Sequence, residues 1–149
     1  MDVLLNNKIC AVTGASRGIG AAIAKKFLEE GAIVYALSRT APDYISEDTP
    51  KAIWLSCDVS NEESAEAAIN TILAKEGRLD VLVNNAGITR DGLLMRMKTE
   101  DWEAVLATNL NSAFFLSRAA VRSMLKQRSG VILNVSSVVG ITGNGGQTN

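Results

Sequence analysis

Short, unbroken apolar runs alternate with stretches whose apolar residues recur every three or four positions. Ile9, Cys10, Ala11 and Val12 form the first run, and it stops at Thr13-Gly14. From Gly18 the period changes: Ile19, Ile23 and Phe27 fall at i, i+4 and i+8, which predicts a helix with those residues on its buried face. Gly31 is placed to stop that helix in a left-handed conformation. Residues 33–37, 52–57, 79–83 and 131–135 are further apolar runs and predict the second to fifth strands. Ser60, with Glu63 three residues on, predicts a capping box for a second helix. That helix would bury Ala67, Ala68, Ile72 and Leu73. Thr99, followed by Glu100 and Asp101, predicts the cap and acidic first turn of one long helix. Its apolar positions run from Trp102 and Leu106 through Phe114, Phe115 and Leu116 to Met124 and Leu125. Residues 40–51 hold both prolines and predict a surface loop or short helix.

Strands that are apolar throughout, separated by helices, predict a parallel sheet covered on both faces. Right-handed crossovers favour the order 3-2-1-4-5, a doubly wound, Rossmann-like α/β portion that occupies residues 1–149. That order leaves the fifth strand at an edge. Val131, Ile132 and Leu133 suit a central strand better, with no charge or proline to blunt an edge. The expectation is therefore that the chain is a segment of a longer protein with at least one more strand and a missing C-terminal part.

Composition narrows the function classes. The 149 residues carry 15 basic and 16 acidic side chains, a net charge of −1. No basic field for nucleic acid or a membrane surface follows from that. There is no histidine, which excludes histidine-based catalysis or metal ligation, and no metal is expected. Cys10 and Cys57 lie far apart in apolar runs and read as buried free thiols of a reducing compartment. That favours the cytoplasm, or a plastid stroma. No apolar stretch approaches the about 20 residues that span a bilayer.

The candidate chemistry collects where strands end. Thr13-Gly14-Ala15-Ser16-Arg17-Gly18-Ile19-Gly20 follows the first strand and opens a helix. Glycines there permit a tight turn and close backbone approach, and the helix start offers free N–H groups to a pyrophosphate. Candidate contacts are Gly14, Ser16, Arg17, Gly18, Ile19 and Gly20. At the end of the second strand, where an NAD site usually places a carboxylate, stand Ser38 and Arg39. Arg39 and Arg17 together would hold a 2′-phosphate, which favours NADP(H); Arg39 as a solvated loop charge is the alternative. Asp58 and Val59 follow the third strand, positioned for an adenine ring or for an ordinary turn. Asn84-Asn85-Ala86-Gly87 ends the fourth strand, and Asn85, Ala86 and Gly87 are small enough to admit a ribose or nicotinamide. Asn109, taken as buried within the long helix, needs partners and is either structural or part of a water relay. Ser136 and Ser137 end the fifth strand, and periodicity does not choose between them.

Residues 13–20, 84–97 and 136–149 together resemble the short-chain dehydrogenase/reductase family, and within it the 3-oxoacyl-[acyl-carrier-protein] reductases of fatty acid synthesis. The resemblance implies NADPH-dependent reduction of a 3-oxoacyl thioester carried by acyl carrier protein, in a homotetramer. It places the family's catalytic asparagine on Asn109 and its catalytic serine on Ser137. It places a basic residue for carrier-protein docking on Arg128, for which a solvated helix-end cation is the alternative. The family's tyrosine and lysine have no counterpart in these residues, so the 149-residue chain alone is expected to be inactive. A reductase of another carbonyl substrate, or a non-catalytic dinucleotide-binding fragment, remains an alternative reading.

Overall fold

A computed structural model describes residues 4–149. Five strands form one parallel sheet: β1 (Ile9–Thr13), β2 (Ile33–Ser38), β3 (Ala52–Ser56), β4 (Val81–Asn84) and β5 (Val131–Asn134), in the order β3-β2-β1-β4-β5. The predicted order holds, and β5 is an edge. Side chains alternate across β1 in the period of a strand. Ile9 and Ala11 join Tyr35, Leu37 and Leu82 in one core, against Ile69, Ile72, Leu116 and Ala120. Cys10 and Val12 join Val34, Ala36 and Val83 in the other, against Ala24.

Helix α1 (Gly18–Glu29) covers the second core and α2 (Glu62–Glu76) the first. Gly31 ends α1 as predicted, with φ of 85°. Its N–H donates to the Leu28 carbonyl, and the Ala32 N–H to the Phe27 carbonyl, a paired closure that satisfies two end-of-helix acceptors. Ile19 differs from expectation: it is 66 % exposed. Gly20, Ala21 and Ala24 are the buried residues of α1, because only small side chains fit where its first turns press on the sheet.

The start of α2 also differs. Asn61, not Ser60, is the cap, and its Oδ1 accepts from the Ser64 N–H at 2.8 Å. Ser60 is drawn away by Asp58, whose Oδ1 accepts from both the Ser60 N–H and hydroxyl. The buried stripe is Ala65, Ala68, Ile69 and Ile72, the face that meets the sheet and α4, and Ala67 is exposed.

The predicted long helix is broken into α3 (Thr99–Leu106), a single wide π turn (Ala107–Asn111) and α4 (Ser112–Gln127). Thr99 makes no capping hydrogen bond, and Lys98 occupies the cap position. α4 packs beside α2, where Arg118 bridges Glu62 and Glu66. At its other end, Gln127 accepts from the Leu79 N–H and donates to the Leu79 carbonyl, both at 3.1 Å, which fixes α4 to the entry of β4. A short helix, α5 (Val139–Thr142), follows β5. On β5, Val131 and Leu133 remain about half exposed, at 49 % and 46 %. They share the face of Val81 and Val83, beyond the reach of α1.

Candidate active site

All five strands are parallel, so their carboxyl ends share one edge of the sheet, where α/β proteins gather their binding groups. Thr13 closes β1 and is the organising residue there. Its buried hydroxyl oxygen accepts from the N–H groups of Asn85 and Ala86, each at 2.9 Å, and donates to the Val83 carbonyl at 3.3 Å. The Asn85 amide donates back to the Thr13 carbonyl at 3.0 Å. A threonine between an apolar strand and a glycine is the signal for this junction, yet the sequence does not say that the loop after β4 is its partner.

The glycine turn is fitted to this junction. Gly14 takes a positive φ of 63° and its N–H donates to the Leu37 carbonyl at 2.9 Å. Gly20 lies against the Gly14 carbonyl with no room for a side chain. Gly18, at φ of 57°, faces open space: a β-carbon there would meet nothing within 4 Å. Arg17 is the extended residue before α1, and its side chain offers α1 no cap. The first N–H groups of α1 thus receive no cap from Arg17, an arrangement that favours an anion at a helix start.

Arg17 and Arg39 follow the neighbouring strands β1 and β2 at the same edge, and both are exposed. Neither takes part in an ion pair among the described residues. Two side-chain hydrogen bonds hold the turn that presents Arg39. The Ser38 hydroxyl donates to the Thr40 carbonyl at 2.8 Å, and the Trp54 indole donates to the Ser38 carbonyl at 3.0 Å. Asp58 is exposed and its Oδ1 is taken by Ser60, while Val59 is buried among Cys57 and Ala65 in the core beside α2.

Asn109 lies in the π turn and is exposed, not buried as expected. It sits between two surface segments instead of inside the core. Its amide accepts from the Ile88 N–H at 2.8 Å and donates to the Ile88 carbonyl at 2.9 Å. This two-bond clamp leaves one amide hydrogen and one lone pair free. It also sets Gly87 against Asn109, with 3.5 Å between the Asn109 Oδ1 and the place of a β-carbon on Gly87.

Ser137 is exposed beyond β5, and its hydroxyl accepts from the Val139 N–H at 3.2 Å, which leaves its proton free to donate outward. Ser136 is also exposed. The segment after α5 folds back on the loop after β4. Gly92 donates to the Gly146 carbonyl, Gln147 to Asp91, and Asn149 to the Arg90 carbonyl. Behind these loops, Asn84 donates to Ser117 at 3.2 Å and to Asn134 at 2.9 Å. Arg128 is not brought to this edge. It ends α4 in a left-handed conformation, immediately before β5 enters the sheet. The length of β5 separates it from Ser137. Among the described residues there is no group of three or more cysteines or carboxylates that could hold a metal ion.

A glycine turn locked by a threonine to an Asn-Asn-Ala-Gly loop, in this strand order, has relatives. The profile of the short chain dehydrogenase family matches residues 8–149. The chain belongs to the short-chain dehydrogenase family. Among curated proteins it is similar to the 3-oxoacyl-[acyl-carrier-protein] reductase of Vibrio cholerae, 51 % identical over 151 residues, covering 97 % of this chain and 61 % of that protein. The protein of the same name from Chlamydia trachomatis is 46 % identical over 156 residues, covering 100 % and 63 %. That from Escherichia coli is 49 % identical over 148 residues, covering 95 % and 59 %. The chain thus spans roughly three fifths of the length of these short-chain dehydrogenases. No described helix is long and apolar enough to cross a membrane.

Proposed function

We propose that these residues form the dinucleotide-binding part of a short-chain oxidoreductase acting on a carbonyl substrate. The observation that carries this reading is the opening of α1. Gly20 packed on Gly14 brings the helix start down onto the sheet, and the open side at Gly18 leaves space for a pyrophosphate. The residues fit a nicotinamide dinucleotide: Gly14, Ser16, Arg17, Gly18, Ile19 and Gly20 at the pyrophosphate, Arg39 at the adenosine ribose, Asp58 near the adenine with Val59 offering backbone only because its side chain is in the core, and Asn85, Ala86 and Gly87 toward the nicotinamide. When bound, such a dinucleotide supplies the hydride.

The chain's own groups do the remaining positioning. Arg17 and Arg39, at one edge and without an ion pair among the described residues, favour the 2′-phosphate of NADP(H) by charge-assisted hydrogen bonds. Ser137 holds the substrate oxygen through its free hydroxyl proton. Asn109 clamps the loop after Gly87 and keeps one donor and one acceptor for water. The relatives named for carrier-protein substrates support a 3-oxoacyl thioester as the finer reading. They also support acyl carrier protein as partner; a cytoplasmic homotetramer is our extension of that reading. Phe114 and Leu125 on α4, 58 % and 72 % exposed, suit a subunit contact. Arg128, at the far end of β5, fits carrier docking only on a surface remote from this chain's own Ser137.

A specific observation favours binding without turnover by these 149 residues. The chain has two tyrosines, and both hydroxyls are committed elsewhere, Tyr35 to Glu76 and Tyr44 to the Ala15 carbonyl. Neither stands beside Ser137 as a proton donor. Calorimetric titration with NADPH and NADH, alongside a rate assay with carrier-protein and coenzyme A 3-oxoacyl thioesters, tests both statements. Binding that prefers NADPH, without reduction, is expected. A folded chain that binds neither dinucleotide contradicts the first statement, and a reduction rate lost in Ser137→Ala contradicts the second.

A further inference from the structure

Tyr44 lies in the long connection between β2 and β3, outside every motif that marks the nucleotide site. Its hydroxyl nevertheless donates to the Ala15 carbonyl at 2.9 Å, in the middle of the glycine turn. The ring is packed with Ile45 against the core under α1. The Lys25 ammonium of α1 lies 5.2 Å from its centroid, a cation–π contact that ties the ring to the same helix. Burial, with Asp43 beside it, pushes the hydroxyl up to about 12, so it remains a donor throughout the neutral range.

The consequence is geometric. No described peptide bond is cis, and in a trans peptide the N–H points away from the preceding carbonyl. Holding the Ala15 carbonyl on the Tyr44 side therefore turns the Ser16 N–H to the opposite side. That N–H has no protein acceptor among the described residues. The peptide needs an anchor because Gly14 and Gly18, at φ of 63° and 57°, bracket it with backbone that rotates easily.

We propose that Tyr44 is a positioning residue of the dinucleotide site, fixing the Ala15–Ser16 peptide so that the Ser16 N–H meets the pyrophosphate. This rests on the dinucleotide reading above and adds to it a residue from outside the glycine turn. Tyr44 acts through Ala15 and touches no reacting atom.

The test compares the wild-type chain with Tyr44→Phe, which keeps the ring and removes the hydroxyl. Three probes are titrated: NADPH, NADH and 2′-AMP, the last lacking a pyrophosphate. Tyr44→Phe is expected to weaken NADPH and NADH alike, roughly fivefold, as befits one hydrogen bond. Its affinity for 2′-AMP should be unchanged and its melting temperature within about 4 °C of wild type. Arg39→Ala should do the reverse, weakening NADPH and 2′-AMP while sparing NADH. Unchanged dinucleotide affinity in Tyr44→Phe overturns the proposal. So does a parallel loss for 2′-AMP, which would mark general loosening of the fold. A wild-type chain that binds neither NADPH nor NADH brings down the dinucleotide reading itself, and this proposal with it.

Discussion

A β-carbon on Gly20 would stand 2.3 Å from the Gly14 carbonyl oxygen and 2.5 Å from the Asn85 amide nitrogen. Both neighbours are fixed, the first by the β1 turn and the second by its bond to the Thr13 carbonyl. Gly20→Ala must push α1 off the sheet, at a cost of about 3 kcal/mol. Gly18→Ala meets open space and costs only the left-handed backbone, about 1 kcal/mol. Urea denaturation of the two variants should show that order. Equal stabilities would mean that α1 does not press on the glycine turn.

Thr13 gives a second contrast. Thr13→Val keeps the shape but strands the N–H groups of Asn85 and Ala86 in a half-buried junction, and should cost roughly 2–4 kcal/mol. Thr13→Ser keeps the oxygen and should cost less than about 1 kcal/mol. A Val variant as stable as the Ser variant would remove the hydroxyl from the account.

These relationships mark the limit of what the sequence shows. The Gly31 stop of α1 and the 3-2-1-4-5 order are legible because each depends on local chemistry or on handedness. The cap of α2 is misassigned because Ser60 and Asn61 are both good caps, and the choice is made by Asp58 binding Ser60. The π turn at Asn109 leaves no mark in helical spacing. Its stabilising clamp comes from Ile88, on a loop 21 positions away in the chain. Tyr44 is invisible as a site residue for the same reason: its partner, Ala15, is supplied by the fold.

The pH dependence follows from Cys10. Burial first, and the charge of Asp80 second, raise its thiol from 9.0 to about 12, with Lys8 opposing. A thiol whose folded value is raised contributes its full stabilisation below pH about 9. That contribution is lost as pH climbs toward 12, at about 1.4 kcal/mol per pH unit for one proton. Cys57 and Tyr44 shift the same way. Unfolding free energies measured from pH 7 to 11 should therefore fall above pH 9, less steeply in Cys10→Ala. Constant stability to pH 11, or rapid labelling of native Cys10 by a thiol reagent at pH 8, would contradict this.

The central claim is that a dinucleotide lies across the carboxyl ends of β1, β2 and β4. Backbone amide resonances followed during an NADPH titration test it most directly. The largest shifts should fall on Gly14, Ser16, Arg17, Gly18, Arg39 and Gly87. No shifts, or shifts centred on the groove between α2 and α4 around Asn70, Arg122 and Lys126, would contradict it.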